Sequence, residues 1–85
     1  RDYSVAATVD GYEDGYITAT LKNKFLQGQE LDCLEPGSVP FKVKADILLD
    51  GDGNPIEYAP HPMMKIKIPF ERPVKTGSML RMKAE

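Results

Sequence analysis

Cysteine and histidine each occur once in this 85-residue chain, and these two scarcities exclude more chemistry than any other feature. Cys33 has no partner for an internal disulfide, and no Cys or His stands beside it at the spacing of a zinc site. Stability must therefore come from packing. No apolar stretch approaches the roughly 20 residues that span a bilayer, and no basic segment followed by an apolar run marks a signal peptide. These absences predict no membrane contact and a cytoplasmic setting, with secretion of a parent protein left open. Helical periodicity of useful length is missing, as are internal repeats and low-complexity tracts. Because the sequence opens on Arg1, it reads as a fragment excised from a larger protein.

What is present is ordinary for a folded domain. A charged fraction of 28% and a hydrophobic fraction of 41% lie well away from the composition of disordered chains. The length allows one domain, residues 1–85, and a domain of this size buries roughly 60 to 65% of its unfolded surface. A net charge of −2 argues against a domain built mainly to hold polyanions. The charge is uneven, however. Up to Pro40 three bases face seven acids, a balance of −4; from Phe41 onward eight bases face six acids, a balance of +2. The C-terminal half is thus expected to carry the basic face.

Alternation of apolar and polar residues marks half-buried strands, because successive side chains of a strand point to opposite faces. Tyr3, Val5, Ala7 and Val9 are expected on one face of a first strand ending near Gly11. The Glu13-Asp14-Gly15 turn then leads into a second strand with Ile17, Ala19 and Leu21 inward. After a loop from Phe25 to Gly28, Leu31 and Cys33 form a short third strand that Pro36-Gly37 stops. Phe41, Val43, Ala45 and Ile47 give the clearest alternation, facing away from Lys42, Lys44 and Asp46. The turn Asp50 to Pro55 predicts a second hairpin returning through Ile56 to Tyr58. Met64, Ile66, Ile68 and Phe70 form a further strand, and Leu80, Met82 and Ala84 the last. About six short strands separated by Gly and Pro predict an all-β fold, a small antiparallel β-barrel, closed or nearly so, with little or no helix.

Candidate chemistry is thin. Asp50, Asp52 and Asn54 alternate like the first ligands of a calcium loop, but Pro55 stands where the loop needs glycine and His61 where it needs glutamate. A plain turn is the better reading. Cys33 shares its face with Leu31 and reads as a small core residue with an inert thiol. The serines have no G-x-S-x-G setting and no base, so no catalytic residue is assigned, and no metal or cofactor site. His61, held between Pro60 and Pro62, lacks a convincing acid–base partner. The remaining candidate is a substrate-binding stripe of Lys42, Lys44, Lys65, Lys67, Arg81 and Lys83, with Tyr58 and His61 at its rim. It requires that the three strands carrying these cations be neighbours.

Several short segments carry a family resemblance: Asn23-Lys24-Phe25 with Gly28, Leu31 and Leu34 to Gly37; Gly53-Asn54-Pro55-Ile56; Ala59-Pro60-His61-Pro62; Lys65 to Ile68; and Gly77-Ser78-Met79-Leu80-Arg81. From about Tyr3 to Met82 the chain resembles the C-terminal domain of the collagenase-like peptidase family U32. The resemblance implies a compact β-barrel appended to a larger N-terminal catalytic domain, its partner within the same chain. Members of the family include collagenase-like proteases and relatives implicated in hydroxylation of transfer or ribosomal RNA with an iron–sulfur cluster. Their catalytic and cluster-ligating cysteines belong to the preceding domain, so none is carried over here and this domain is expected to need no cofactor. The implied role is accessory: binding or positioning a protein or RNA substrate. A purely structural module that stabilises the parent fold or its oligomer is the alternative.

Overall fold

The computed structural model describes residues 2–83. Nine strands follow one another: β1 (Tyr3–Glu13), β2 (Tyr16–Leu21), β3 (Phe25–Leu26), β4 (Glu30–Leu34), β5 (Phe41–Lys44), β6 (Leu49–Asp50), β7 (Tyr58–Ala59), β8 (Lys65–Pro69) and β9 (Met79–Lys83). Seven of them form one antiparallel sheet in the order β5-β4-β9-β1-β2-β8-β6, while β3 and β7 pair as a separate ribbon. The fold is all-β, and the sheet curls into a half-barrel. Its core comprises Ile17, Leu21, Leu31, Val43, Ile66, Ile68 and Leu80, all fully buried, with Phe25 beneath the ribbon.

The first hairpin forms as the sequence predicts. Asp14 at φ 54° and Gly15 at φ 86° both occupy the left-handed region that a two-residue turn needs to match the twist of its strands. β1 runs two residues beyond Gly11, to Glu13, because Tyr12 and Glu13 pair with Ile17 and Tyr16 up to the turn, and it contains irregularities that alternation does not reveal. Against β9, Val5 pairs with Arg81 and Ala7 with Leu80, so Ala6 is an extra residue. Against β2, Val9 pairs with Ala19 and Gly11 with Thr18, which makes Asp10 extra as well. Each bulge bends the strand and shifts its side-chain parity by one. Tyr3 and Val5 consequently do not share the inward face of Ala7 and Val9; Tyr3 lies outside, against Arg81. The second bulge also releases the Asp10 carbonyl, which accepts from Thr76 Oγ1 at 2.9 Å and straps the turn before β9 onto β1.

The Phe41 run departs from expectation at its end. β5 stops at Lys44, and Ile47 is 56% exposed while Leu48 is buried, because a bend after Ala45 reverses the alternation. The chain returning from the Asp50 turn does fold back, with Leu49 bridging Pro55 and the Ile56 N–H donating to the Leu48 carbonyl at 2.9 Å, but it does not pair with β5. Leu49 and Asp50 pair with β8, and Tyr58–Ala59 pairs with Leu26–Phe25. Backbone bonds from Gln27 N–H to the Glu57 carbonyl and from Gly28 N–H to the Ala45 carbonyl, at 2.8 and 2.7 Å, tie this ribbon over one end of the barrel. Across the other end, the rings of Phe41 and Phe70 stack with centroids 5.6 Å apart. The Arg72 guanidinium lies 4.1 Å over Phe41. Ala84, expected as the last inward residue of β9, lies outside the described residues.

Candidate functional site

The strand order separates the predicted cations. Lys42 and Lys44 lie on the edge strand β5, and Arg81 and Lys83 on β9, with the acidic β4 between them. Lys65 and Lys67 lie on β8, which β1 and β2 separate from β9. The condition for one continuous stripe is therefore not met.

Three of the six cations are engaged by carboxylates. Lys42 Nζ lies 2.7 Å from Asp32 Oδ1 and 4.0 Å from Glu30, and Arg81 Nε lies 3.7 Å from Asp32 Oδ2. One carboxylate thus links β5, β4 and β9 across the outer face. The hydrogen bond from Lys42 holds the Asp32 carboxyl below its ordinary range, against the opposing effect of desolvation. Arg81 stacks its guanidinium 4.0 Å over Tyr3, and its Nε is buried with no hydrogen bond. On β8, Lys65 Nζ donates to Thr20 Oγ1 at 2.8 Å and sits 3.4 Å from Asp10 Oδ2, while Thr20 donates to that same Asp10 oxygen at 2.7 Å. Lys44, Lys67 and Lys83 form no ion pair among the described residues.

Tyr58 and His61 do come together, on the side of β8, where Met64 precedes Lys65 and Asp50 pairs with Ile66. They line a groove of about 390 Å³ whose other walls include Asp50, Ile56 and Met64. Tyr58 is 49% exposed, and Lys24 Nζ lies 5.4 Å from its ring centroid. Beyond the ribbon, a second pocket of about 490 Å³ is lined by Ser4, Lys24, Phe25, Leu26, Gln29, Met82 and Lys83. Of these only Lys83 is among the predicted site residues. In the sequence Lys24 stood out only within the Asn23-Lys24-Phe25 segment of the family resemblance, since its approach to Tyr58 depends on the pairing of β3 with β7, which no local pattern encodes.

The residues that carried the other chemical readings are structurally engaged. Asp50 Oδ1 accepts the backbone N–H of Asp52 and of Asn54, each at 2.9 Å, and these bonds depress its pKa. The Asp50 carboxylate is thereby used within its own turn. Cys33 is fully buried beside Leu31. Desolvation, reinforced by the negative charge of Glu35, pushes its thiol up to about 11, which leaves almost no nucleophilic thiolate at neutral pH. Among the described residues no group of three or more His, Cys, Asp or Glu side chains is placed to hold a metal ion.

The described residues thus form a small all-β half-barrel domain, several of whose charged groups serve in pairing and turns. The sequence matches the model of the Peptidase family U32 C-terminal domain over residues 1–81, and the chain belongs to that family. Two crystal structures of the C-terminal domain of a Geobacillus thermoleovorans protein designated a U32 peptidase are similar to it. For the selenomethionine variant the identity is 30%, covering 92% of this chain and 98% of that one, with a TM-score of 0.84. For the other the identity is 29%, covering 95% and 92% respectively, with a TM-score of 0.82. No curated protein matches the chain.

Proposed function

We propose that this domain is a noncatalytic accessory module that helps a parent enzyme of the U32 family bind or position a macromolecular substrate, protein or RNA. The observation that carries this reading is the clustering at the ribbon end: Lys24 and Lys83, which have no carboxylate partner among the described residues, flank a pocket beside the exposed Tyr58. Lysines free of partners are the groups that phosphate contacts use, and exposed aromatics are enriched where proteins meet other macromolecules. Charge reversal at Lys24 and Lys83 in the full-length parent is expected to weaken substrate affinity and to flatten its dependence on salt. Unchanged affinity and unchanged salt dependence would overturn the reading.

A second reading has its own support. Leu26 is 55% and Ile47 56% exposed, and Ile47 and Ile56 line one groove beside the ribbon together with Gln27. An apolar end of this kind suits docking against the parent's catalytic domain. Replacing Leu26 and Ile47 by Ser would then lower the parent's melting temperature and leave substrate affinity alone.

A further inference from the structure

The pocket beside β3 differs in chemistry from the grooves that adjoin it. Among the described residues its walls carry hydrogen-bond donors and no carboxylate: Lys24, Lys83, the Ser4 hydroxyl and Gln29. The Gln29 side chain is oriented by its own turn, with Oε1 accepting the Leu26 N–H at 3.2 Å, so its amide nitrogen remains as a donor. Leu26 and Met82 supply apolar surface between these groups. Two cations and further donors with no carboxylate among them favour an anion, and the apolar surface favours one attached to a hydrophobic body.

The neighbouring grooves limit the size of that anion. On the far side of the ribbon one groove is lined by Asp46 and Glu57, and the next by Asp50 and Glu57. A polyanion leaving the pocket in that direction would meet carboxylates, whereas a single terminal charge would not. A space of about 490 Å³ suits one or two residues.

We infer that this pocket receives the C-terminal carboxylate of a peptide whose last side chain is apolar, with Lys24 and Lys83 pairing the carboxylate and Leu26 and Met82 packing on the side chain. The inference rests on the accessory-binding reading and narrows its substrate class to protein.

The test is an NMR titration of the 85-residue chain with acetyl-Ala-Ala-Leu carrying a free carboxylate, beside the same peptide as its C-terminal amide, inorganic phosphate and a short single-stranded RNA. Saturable shifts are expected at the amides of Ser4, Lys24, Gln29 and Lys83 with the acid, with binding at least tenfold weaker for the amide and for phosphate. K24M and K83M, both at exposed positions, should each weaken the acid about tenfold with the rest of the spectrum preserved, while K67M leaves it unchanged. Equal binding of acid and amide, phosphate as tight as the peptide, RNA displacing the peptide at the same amides, or no saturable shift there would each overturn the inference. If the peptide fails while charge reversal at Lys24 and Lys83 still weakens the parent's substrate binding, the accessory reading stands and only the ligand assignment falls.

Discussion

Glu35 and Lys75 are 40 residues apart in sequence, and Glu35 Oε2 accepts the Lys75 backbone N–H at 2.9 Å. The other carboxylate oxygen accepts from Ser38 Oγ at 2.8 Å and lies 3.7 Å from Arg72. One acidic side chain, almost completely buried, thereby joins the β4–β5 connection to the β8–β9 connection. Arg72 in turn covers the Phe41–Phe70 stack, so the carboxylate and the aromatic pair hold the same end of the half-barrel.

Acid should therefore loosen this end. The Lys75 N–H, followed by the Ser38 hydroxyl, holds the Glu35 carboxyl below its ordinary range, and Asp32 and Asp50 are shifted the same way. A folded pKa below the unfolded one adds stability that is complete above the unfolded carboxylate range, about pH 4 to 4.5. That stability is lost as pH falls through the folded values. Melting curves between pH 7 and pH 2.5 should show constant stability at the upper end and a progressive fall below about pH 4.5. Glu35→Gln should lower the melting temperature at pH 7 and shrink the acid-dependent drop; an unchanged pH profile in that variant would show that Glu35 does not contribute to it.

The Phe41–Phe70 pair predicts a measurable coupling. Stacked aromatic pairs contribute about 0.5–1.5 kcal/mol beyond the area they bury. A double-mutant cycle of Phe41→Leu and Phe70→Leu, read by urea denaturation, should return an interaction energy of about that size. Strict additivity of the two single changes would mean that the rings do not hold the seam jointly.

Met63 occupies a position made for glycine. The Met64 N–H bonds back to the His61 carbonyl at 3.2 Å, Pro62 takes the second position of the turn, and Met63 at the third has φ 72°. Positive φ at that position strains any residue with a Cβ. Met63→Gly should stabilise the domain by about 0.5–1 kcal/mol, a rise of roughly 2–8 °C in melting temperature. Such a rise would be absent if the exposed Met63 side chain contributed compensating contacts.

For Cys33, burial predicts silence. In the folded protein at pH 8 the thiol should fail to react with an aromatic disulfide reagent over hours, and it should react at once in denaturant. Modification of the native protein at the rate of a free thiol would contradict both its burial and its raised pKa.

The strands were the most legible part of the molecule. Residues such as Ile17, Ala19 and Leu21, or Leu31 and Cys33, alternate because each strand has one wet face and one dry face, and that period is written locally. The ribbon of Phe25–Leu26 with Tyr58–Ala59 was not legible, since two residues on each side give no period to read. The bulges at Ala6 and Asp10 were hidden for a related reason: a bulge is defined by the partner strand's register, and a single strand's sequence carries no record of its partner. The candidate cations were read correctly as outward on β5 and β8. Lys42 meets Asp32 across two consecutive strands, but the approach of Arg81 to Asp32 and of Lys65 to Asp10 joins strands that lie far apart in the chain.

Taken alone, the sequence determined the class of fold, the inward set of most strands, the turns at Asp14-Gly15 and Asp50 to Pro55, and the family resemblance. Those properties arise from side-chain period and from backbone angles, which act between near neighbours. Only the tertiary structure decided which cations are spent on carboxylates and which remain without them around the ribbon. A salt bridge depends on the distance between charges, and here that distance is set by strand order, not by separation along the chain.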